Sequence, residues 1–316
     1  MTEAAPVHTV AVLGTGHMGS AMSRALAKAG FELVFYNRTL ARCEPLADEL
    51  GGRVAPTAAE AVAATDMAIS MVADEPAVEA LYRGESGVLD GLSAGKLVAD
   101  MSTVPPSVVL GLADEVHARG AEILDAPVSG STALAQSGGL TIMVGGDGAA
   151  LERARPVFDA LAKRVFHLGP LGSGAAMKLA VNTLIFGLNE ALAEGFVIAE
   201  RAGIDRSLAY DVLAASAAGA PYVEYKRNAF LDPEGTPPVF SIALAEKDLN
   251  LITDFADRLG VPVPQAHVNR DVLRAAMADG NGGADFADVA VHLKGRTSSR
   301  SRSEFQHEEV GKGAQS

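Results

Sequence analysis

In the stretch Gly172-Ser-Gly-Ala-Ala-Met-Lys178-Leu-Ala-Val-Asn182, an ammonium and an amide stand four residues apart in otherwise apolar sequence. Side chains at that spacing share one face of a helix. A lysine so placed either runs its stem along apolar surface to reach water or is held in a polar cleft, where it can donate a proton. On these residues alone both outcomes stay open.

A second chemical pattern opens the chain. Gly14-Thr-Gly16-His17-Met18-Gly19 follows the short apolar run Thr9-Val-Ala-Val-Leu13 and precedes apolar residues at helical spacing. A strand, a glycine turn and a helix in that order form the context in which such glycines hold a dinucleotide. Gly14 permits the tight turn, Gly16 lets backbone approach the pyrophosphate, and Gly19 allows the helix to pack on the strand. The free amides at the helix start face negative charge. His17 and Met18 fall among the cofactor-contacting positions of this turn, although a histidine there can equally be just exposed. At the end of the next strand, an NAD site usually carries an acidic residue for the adenosine ribose. Here Tyr36-Asn37-Arg38-Thr39 takes that place. A guanidinium flanked by small polar side chains suits a 2′-phosphate, so NADP(H) is favoured over NAD(H), with Arg42 as a possible assistant.

These residues need a scaffold. Runs at 32–36, 66–72, 96–100 and 122–125 read as further strands separated by helical stretches, and 140–144 and 165–168 as two more near the sheet's end. Alternation of this kind implies an α/β fold with a doubly wound parallel sheet of Rossmann type. From about Gly172 the pattern turns helical, with one long helix over 175–202 and shorter ones near 208–215, 244–259 and 267–279. The expected domains are therefore 1–168, binding NADP, and an all-helical 169–294 for substrate and oligomerisation. Segments around Gly-Ala-Pro221 and Asp232-Pro-Glu-Gly-Thr-Pro-Pro238 read as loops, and 217–230 as a specificity loop. Residues 295–316 lack apolar periodicity and are read as a disordered tail.

Composition narrows the function classes. The chain has 316 residues, 48% of them hydrophobic, and a formal net charge of −13, which argues against a nucleic-acid surface. Its single cysteine, Cys43, can form no intramolecular disulfide, and the histidines are scattered without zinc-type spacing, so no metal is expected. The start lacks a secretory pattern, and no segment reads as an uninterrupted membrane span, so a cytoplasmic protein without membrane partners is expected.

The chain up to about Leu293 resembles the β-hydroxyacid dehydrogenase family. The resemblance rests on the glycine turn, on Asp125-Ala-Pro-Val-Ser129-Gly130, on Gly138-Gly-Leu-Thr-Ile-Met-Val-Gly-Gly146, on the Lys178 to Asn182 helix, and on Glu246-Lys247-Asp248-Leu249. The Asn37-Arg38-Thr39 ending looks like the NADPH-using reductases of that family, which act on glyoxylate and succinic semialdehyde. The resemblance implies that Lys178 donates the proton to a carbonyl oxygen becoming an alkoxide, and that Asn182 bonds the same oxygen or orients the lysine. It implies that Ser129 and Gly130 meet the carboxylate of a small carbonyl substrate, and that Met71, Val72 and Thr103 line the nicotinamide. It implies that Lys247 reaches the cofactor. A dimer or tetramer is expected by the same resemblance. Each position also has an ordinary reading: Thr103 as a helix cap, Ser129 as a turn former, Lys247 as a surface lysine beside Asp248. One departure stands out, since Ser131 occupies a position where the family commonly has glycine, and it adds a side chain at the carboxylate-binding turn.

Three functions compete. The first is an NADPH-dependent reductase of small aldehyde or keto acids, which needs Lys178 as acid. The second is an imine reductase of related architecture, in which the lysine position often holds another residue. The third is a dinucleotide-binding module without turnover, disfavoured by the presence of both Lys178 and Asn182.

Overall fold

A computed structural model of the chain describes residues 7–296. Of the expected tail, residues 297–316 lie outside the described residues. The chain divides into two compact units, with the division between Val181 and Asn182.

The first unit is built on a six-stranded parallel sheet. Its strands are β1 (Thr9–Leu13), β2 (Glu32–Tyr36), β3 (Arg53–Val54), β4 (Met67–Ser70), β5 (Leu97–Asp100) and β6 (Glu122–Asp125), in the order β3-β2-β1-β4-β5-β6. The helices between them are α1 (His17–Lys28), α2 (Glu44–Leu50), α3 (Ala58–Ala63), α4 (Glu75–Arg83), α5 (Val88–Gly91) and α6 (Pro106–His117). The unbroken apolar runs of β1, β4 and β5 have the composition of strands covered on both faces. Alternation then sorts the side chains. Val10 and Val12 join a core with Met22 and Leu26 of α1, whereas Ala11 and Leu13 join the opposite core with Val62 and Leu112. Strand order reverses between β1 and β4, and in such sheets the crevice at the strands' carboxyl ends is where ligands bind.

A three-stranded sheet follows, made of β7 (Val128–Ser129), β8 (Leu140–Val144) and β9 (Ala162–His167), with α7 (Thr132–Gln136) and α8 (Gly148–Leu161) between them. The runs read as the end of the main sheet belong here instead. The short β7, which periodicity could not reveal, pairs antiparallel with β8 and starts a new sheet, and an isolated bridge between Asp125 and Gly145 joins it to β6.

Helix α9 (Ser173–Arg201) spans the division. Beyond it, the second unit holds α10 (Arg206–Ala215), α11 (Pro221–Leu231), α12 (Ile242–Leu259), α13 (Pro264–Ala278) and α14 (Val289–Gly295), with no strand among the described residues. The segment expected to be a specificity loop is largely α11. Pro221 sits in its first turn, where proline's fixed φ favours a helix start. Tyr222, Lys226, Ala229 and Phe230 are buried at helical spacing, so the proline opens a helix here and does not mark a loop. Helix α9, with 29 residues and a window of mean hydropathy 1.2, is long and apolar enough to cross a membrane by length and composition. Its polar residues Asn182 and Asn189 are nevertheless buried and hydrogen-bonded within the second unit, as in a core helix.

Candidate active site

The glycine turn is built by close approach. Gly14 has φ +106°, a left-handed value that favours glycine, and a Cβ there would lie 2.3 Å from the Met71 carbonyl oxygen. A Cβ on Gly19 would fall 2.0 Å from the Gly14 oxygen, which locks α1 against the turn. At Gly16 the contrast is complete: a Cβ would meet nothing within 4 Å. The start of α1 carries no side-chain cap and no acidic residue in its first turn. An open space over an uncapped helix start suits the phosphates of a dinucleotide. His17 and Met18 stand in this first turn, His17 exposed and Met18 partly buried.

Asn37, expected to contact the cofactor, also has a local task. Its Oδ1 accepts from Thr15 N at 3.4 Å and its Nδ2 donates to the Thr39 oxygen at 3.1 Å, so it braces the glycine turn against the end of β2. Arg38, Thr39 and Arg42 are exposed, and no ion pair holds Arg38 or Arg42 among the described residues.

Met71 and Val72 close the other side of the turn, with the Met71 amide donating to Leu13 O at 2.9 Å. A buried carboxylate that sequence reasoning overlooked fixes them. Asp100, at the end of β5, accepts from Ser70 Oγ at 2.5 Å and from Ser102 N and Oγ at 3.1 and 3.2 Å, while Ser102 Oγ accepts from Val72 N at 3.0 Å. Burial pushes the Asp100 carboxyl up to about 6, against the pull of these hydrogen bonds. Thr103 follows this knot, partly buried; α6 starts after Pro105 without a side-chain cap, so Thr103 is not its cap.

The helix bearing Lys178 is anchored by a second overlooked carboxylate. Asp125 Oδ1 accepts from Gly172 N at 2.8 Å and Oδ2 from Ala175 N at 2.6 Å, satisfying amides that the first turn of α9 leaves unpaired. Burial raises the Asp125 carboxyl, and the amides of Ala175 and Gly172 counter it. A Cβ on Gly145 would lie 2.3 Å from Asp125 Oδ1, and one on Gly174 2.3 Å from the Met143 oxygen, which is why glycines surround this contact. The motif was legible in the sequence, but its first residue drew no role.

Ser129 ends β7 opposite Thr141, and Gly130 has φ +141°. Ser131 caps α7, its Oγ accepting from Leu134 N at 3.3 Å. Its extra side chain is thus used in local structure.

Lys178 lies half-buried on α9, with Asn182 one turn on and 5% exposed. Asn182 Nδ2 donates to Asp248 Oδ2 at 2.9 Å, and Lys247 Nζ pairs with Asp248 Oδ1 at 2.7 Å. Asp248 is 2% exposed. The structure therefore brings Asn182 and Lys247 together through a carboxylate that the sequence offered only as Lys247's neighbour; its signal was a charge on the inward face of α12.

Among the described residues no cluster of His, Cys, Asp or Glu could hold a metal. Cys43 is buried beside Thr15 Oγ1 at 3.6 Å.

A family model described as the NAD binding domain of 6-phosphogluconate dehydrogenase matches residues 9–169. A second, described as NAD-binding of NADP-dependent 3-hydroxyisobutyrate dehydrogenase, matches residues 172–293. Glyoxylate/succinic semialdehyde reductase 1 of Arabidopsis thaliana is 34% identical over 90% of this chain and 98% of its own. NAD-dependent L-serine dehydrogenase of Pseudomonas aeruginosa is 33% identical over 89% and 96%. The crystal structure of 3-hydroxyisobutyrate dehydrogenase from Salmonella typhimurium matches with a TM-score of 0.84 and 28% identity over 90% of this chain and 99% of that one. Imine reductase from Pseudomonas sp., at a TM-score of 0.61 and 24% identity over 90% of this chain and 99% of its own, shares the fold.

Proposed function

We propose that this chain, which belongs to the β-hydroxyacid dehydrogenase family, interconverts a small aldehyde or keto acid and its hydroxyacid with NADPH as the reductant. The observation that carries the reading is the joining of Asn182 and Lys247 by Asp248, one turn along α9 from Lys178. A surface lysine and a solvated asparagine would need no buried carboxylate between them.

When bound, the nicotinamide supplies the hydride. Lys178 Nζ gives its proton to the carbonyl oxygen as that oxygen gains charge, and takes it back in the reverse direction. Asn182, oriented by Asp248, offers an N–H to the same oxygen. Ser129 and the backbone at Gly130 receive the substrate carboxylate, with Ser131 fixing the turn. Met71, Val72 and Thr103 line the nicotinamide, and Lys247 adds positive charge for the dinucleotide. Gly14, Gly16, His17, Met18 and Gly19 hold the pyrophosphate. Preference for NADPH rests on Arg38, with Thr39 beside it, standing where an acidic residue would favour NAD. We place the protein in the cytoplasm as a dimer or tetramer. Exposed Leu184 and Ile198 on α9, and Leu208 and Val212 on α10, support the association.

The deciding experiment follows NADPH oxidation by the purified protein with glyoxylate, succinic semialdehyde, methylmalonate semialdehyde and a cyclic imine. Turnover of a carbonyl acid is the expected result. Turnover of the imine alone makes the chain an imine reductase, and binding of NADPH without any turnover makes it a non-catalytic module.

A further inference from the structure

Helix α11 sends two polar side chains, one turn apart, into the interior of the second unit. Tyr222 Oη donates to Asn189 Oδ1 at 2.7 Å, and Lys226 Nζ donates to Asp285 Oδ1 at 2.5 Å. The Lys226 and Asp285 side chains are only 7% and 4% exposed. Two apolar side chains of the same volume would pack there at least as stably, because burying both charges costs their hydration. What the ion pair adds is direction.

Asp285 uses that direction on one short segment. Its Oδ2 accepts from Val239 N at 3.1 Å and from Phe240 N at 3.5 Å, and its Oδ1 also accepts from Ala287 N at 3.0 Å. Phe286 N donates to Phe240 O at 2.8 Å, so the Phe240 backbone is held on both its N–H and C=O sides by residues 285 and 286. The Phe240 ring stacks on Phe186 with centroids 6.1 Å apart and meets Phe286 edge-on at 6.2 Å. Phe186 follows Asn182 on α9 by four residues and therefore stands on the same helix face. A continuous line of contacts thus runs from Lys226 through Asp285 and the partly exposed Phe240 to Phe186, which is buried one helical turn from Asn182.

We propose that Lys226 and Asp285 are positioning residues for substrate recognition: they fix the partly exposed Phe240 ring, backed by the buried Phe186, as a rigid apolar wall against which the non-reacting end of the carbonyl acid packs. The proposal rests on the reductase reading given above. The pair lies outside the chemistry itself, and its loss acts on how the substrate sits before reduction. A displaced wall weakens substrate binding while dinucleotide affinity, set by the first unit's glycine turn, stays as it was.

The test is steady-state kinetics with the carbonyl acid that wild type turns over, together with fluorescence titration of NADPH. Lys226→Met is expected to raise substrate KM about 10-fold, leave the NADPH Kd unchanged, and be largely rescued by Lys226→Arg. In the Phe240→Leu background, Lys226→Met is expected to add little, because both act through the same wall. Tyr210→Phe, which removes the Tyr210 hydroxyl's bond to Val223 O in the same unit, controls for stability alone and is expected to lower Tm with KM unchanged. An unchanged KM in Lys226→Met, or full additivity with Phe240→Leu, overturns the proposal. If Lys226→Met does not fold, Asp285→Asn, which removes the charge of the partner, gives the same comparison with and without Phe240→Leu. A wild type that turns over no carbonyl acid sinks the functional reading itself, a different result from an active wild type with an insensitive Lys226.

Discussion

Asn182 and Asp248, 66 residues apart in the chain, are joined by a hydrogen bond of 2.9 Å between Nδ2 and Oδ2. The carboxylate is 2% exposed and holds Lys247 through its other oxygen. A buried charge in that position is tolerable only because both its oxygens are matched. Removing it frees two residues at once.

Asp248→Ala is accordingly expected to lower kcat on the order of 10²-fold, since a misoriented Asn182 no longer meets the developing oxyanion. Asp248→Asn, which keeps one acceptor, is expected to fall between Ala and wild type. Steady-state rates with saturating NADPH check both.

Lys178→Ala is expected to cost on the order of 10²- to 10⁴-fold in turnover, the usual range for a lost general acid. The NADPH Kd, measured by fluorescence titration, is expected to stay at the wild-type value. Normal turnover in this variant would remove Lys178 from the mechanism.

Arg38 is exposed and makes no ion pair among the described residues that must break before it meets a phosphate. Arg38→Asp is expected to shift the NADPH to NADH ratio of kcat/KM by about 10- to 100-fold toward NADH, the loss of one charge-assisted contact. An unchanged ratio rejects the phosphate assignment.

Asp125 caps the helix that carries Lys178 by accepting from Gly172 N and Ala175 N. Its replacement by alanine is expected to destabilise the first unit by about 1–2 kcal/mol through loss of the cap. Urea unfolding of wild type and variant measures this.

Glu190 is buried on α9, and burial together with the charge of Glu194 pushes its carboxyl up to about 8. The folded protein then keeps a proton that the unfolded chain releases near pH 4.5. Its contribution to stability is therefore largest below that value and is lost as pH rises toward about 8. Glu190→Gln, neutral at every pH, is expected to flatten the fall of Tm between pH 5 and 8. A parallel fall in both proteins would show that Glu190 ionises as readily folded as unfolded.

Much of this was readable before any coordinates. The apolar runs of β1, β4 and β5 announced buried parallel strands, because strands covered on both faces carry almost no polar residues, and the spacing of Gly14, Gly16 and Gly19 announced the turn. Lys178 and Asn182 were visible because a helix converts a spacing of four into a shared face. Helix α11 was misread because Pro221 carries two opposite meanings, loop punctuation or helix start, and the burial of Tyr222 and Lys226 chose between them. The three buried carboxylates, Asp100, Asp125 and Asp248, were in view as letters but not as roles. Their partners lie at Ser70, at Gly172 and Ala175, and at Asn182. The sequence by itself determined the strands and helices with strong periodicity, such as β1, β4, β5 and α9, and the side chains whose types could do chemistry, since both follow from local pattern and residue type. Tertiary structure alone decided which acid would hold which segment, because a hydrogen bond depends on distance in space, and distance along the chain does not encode it.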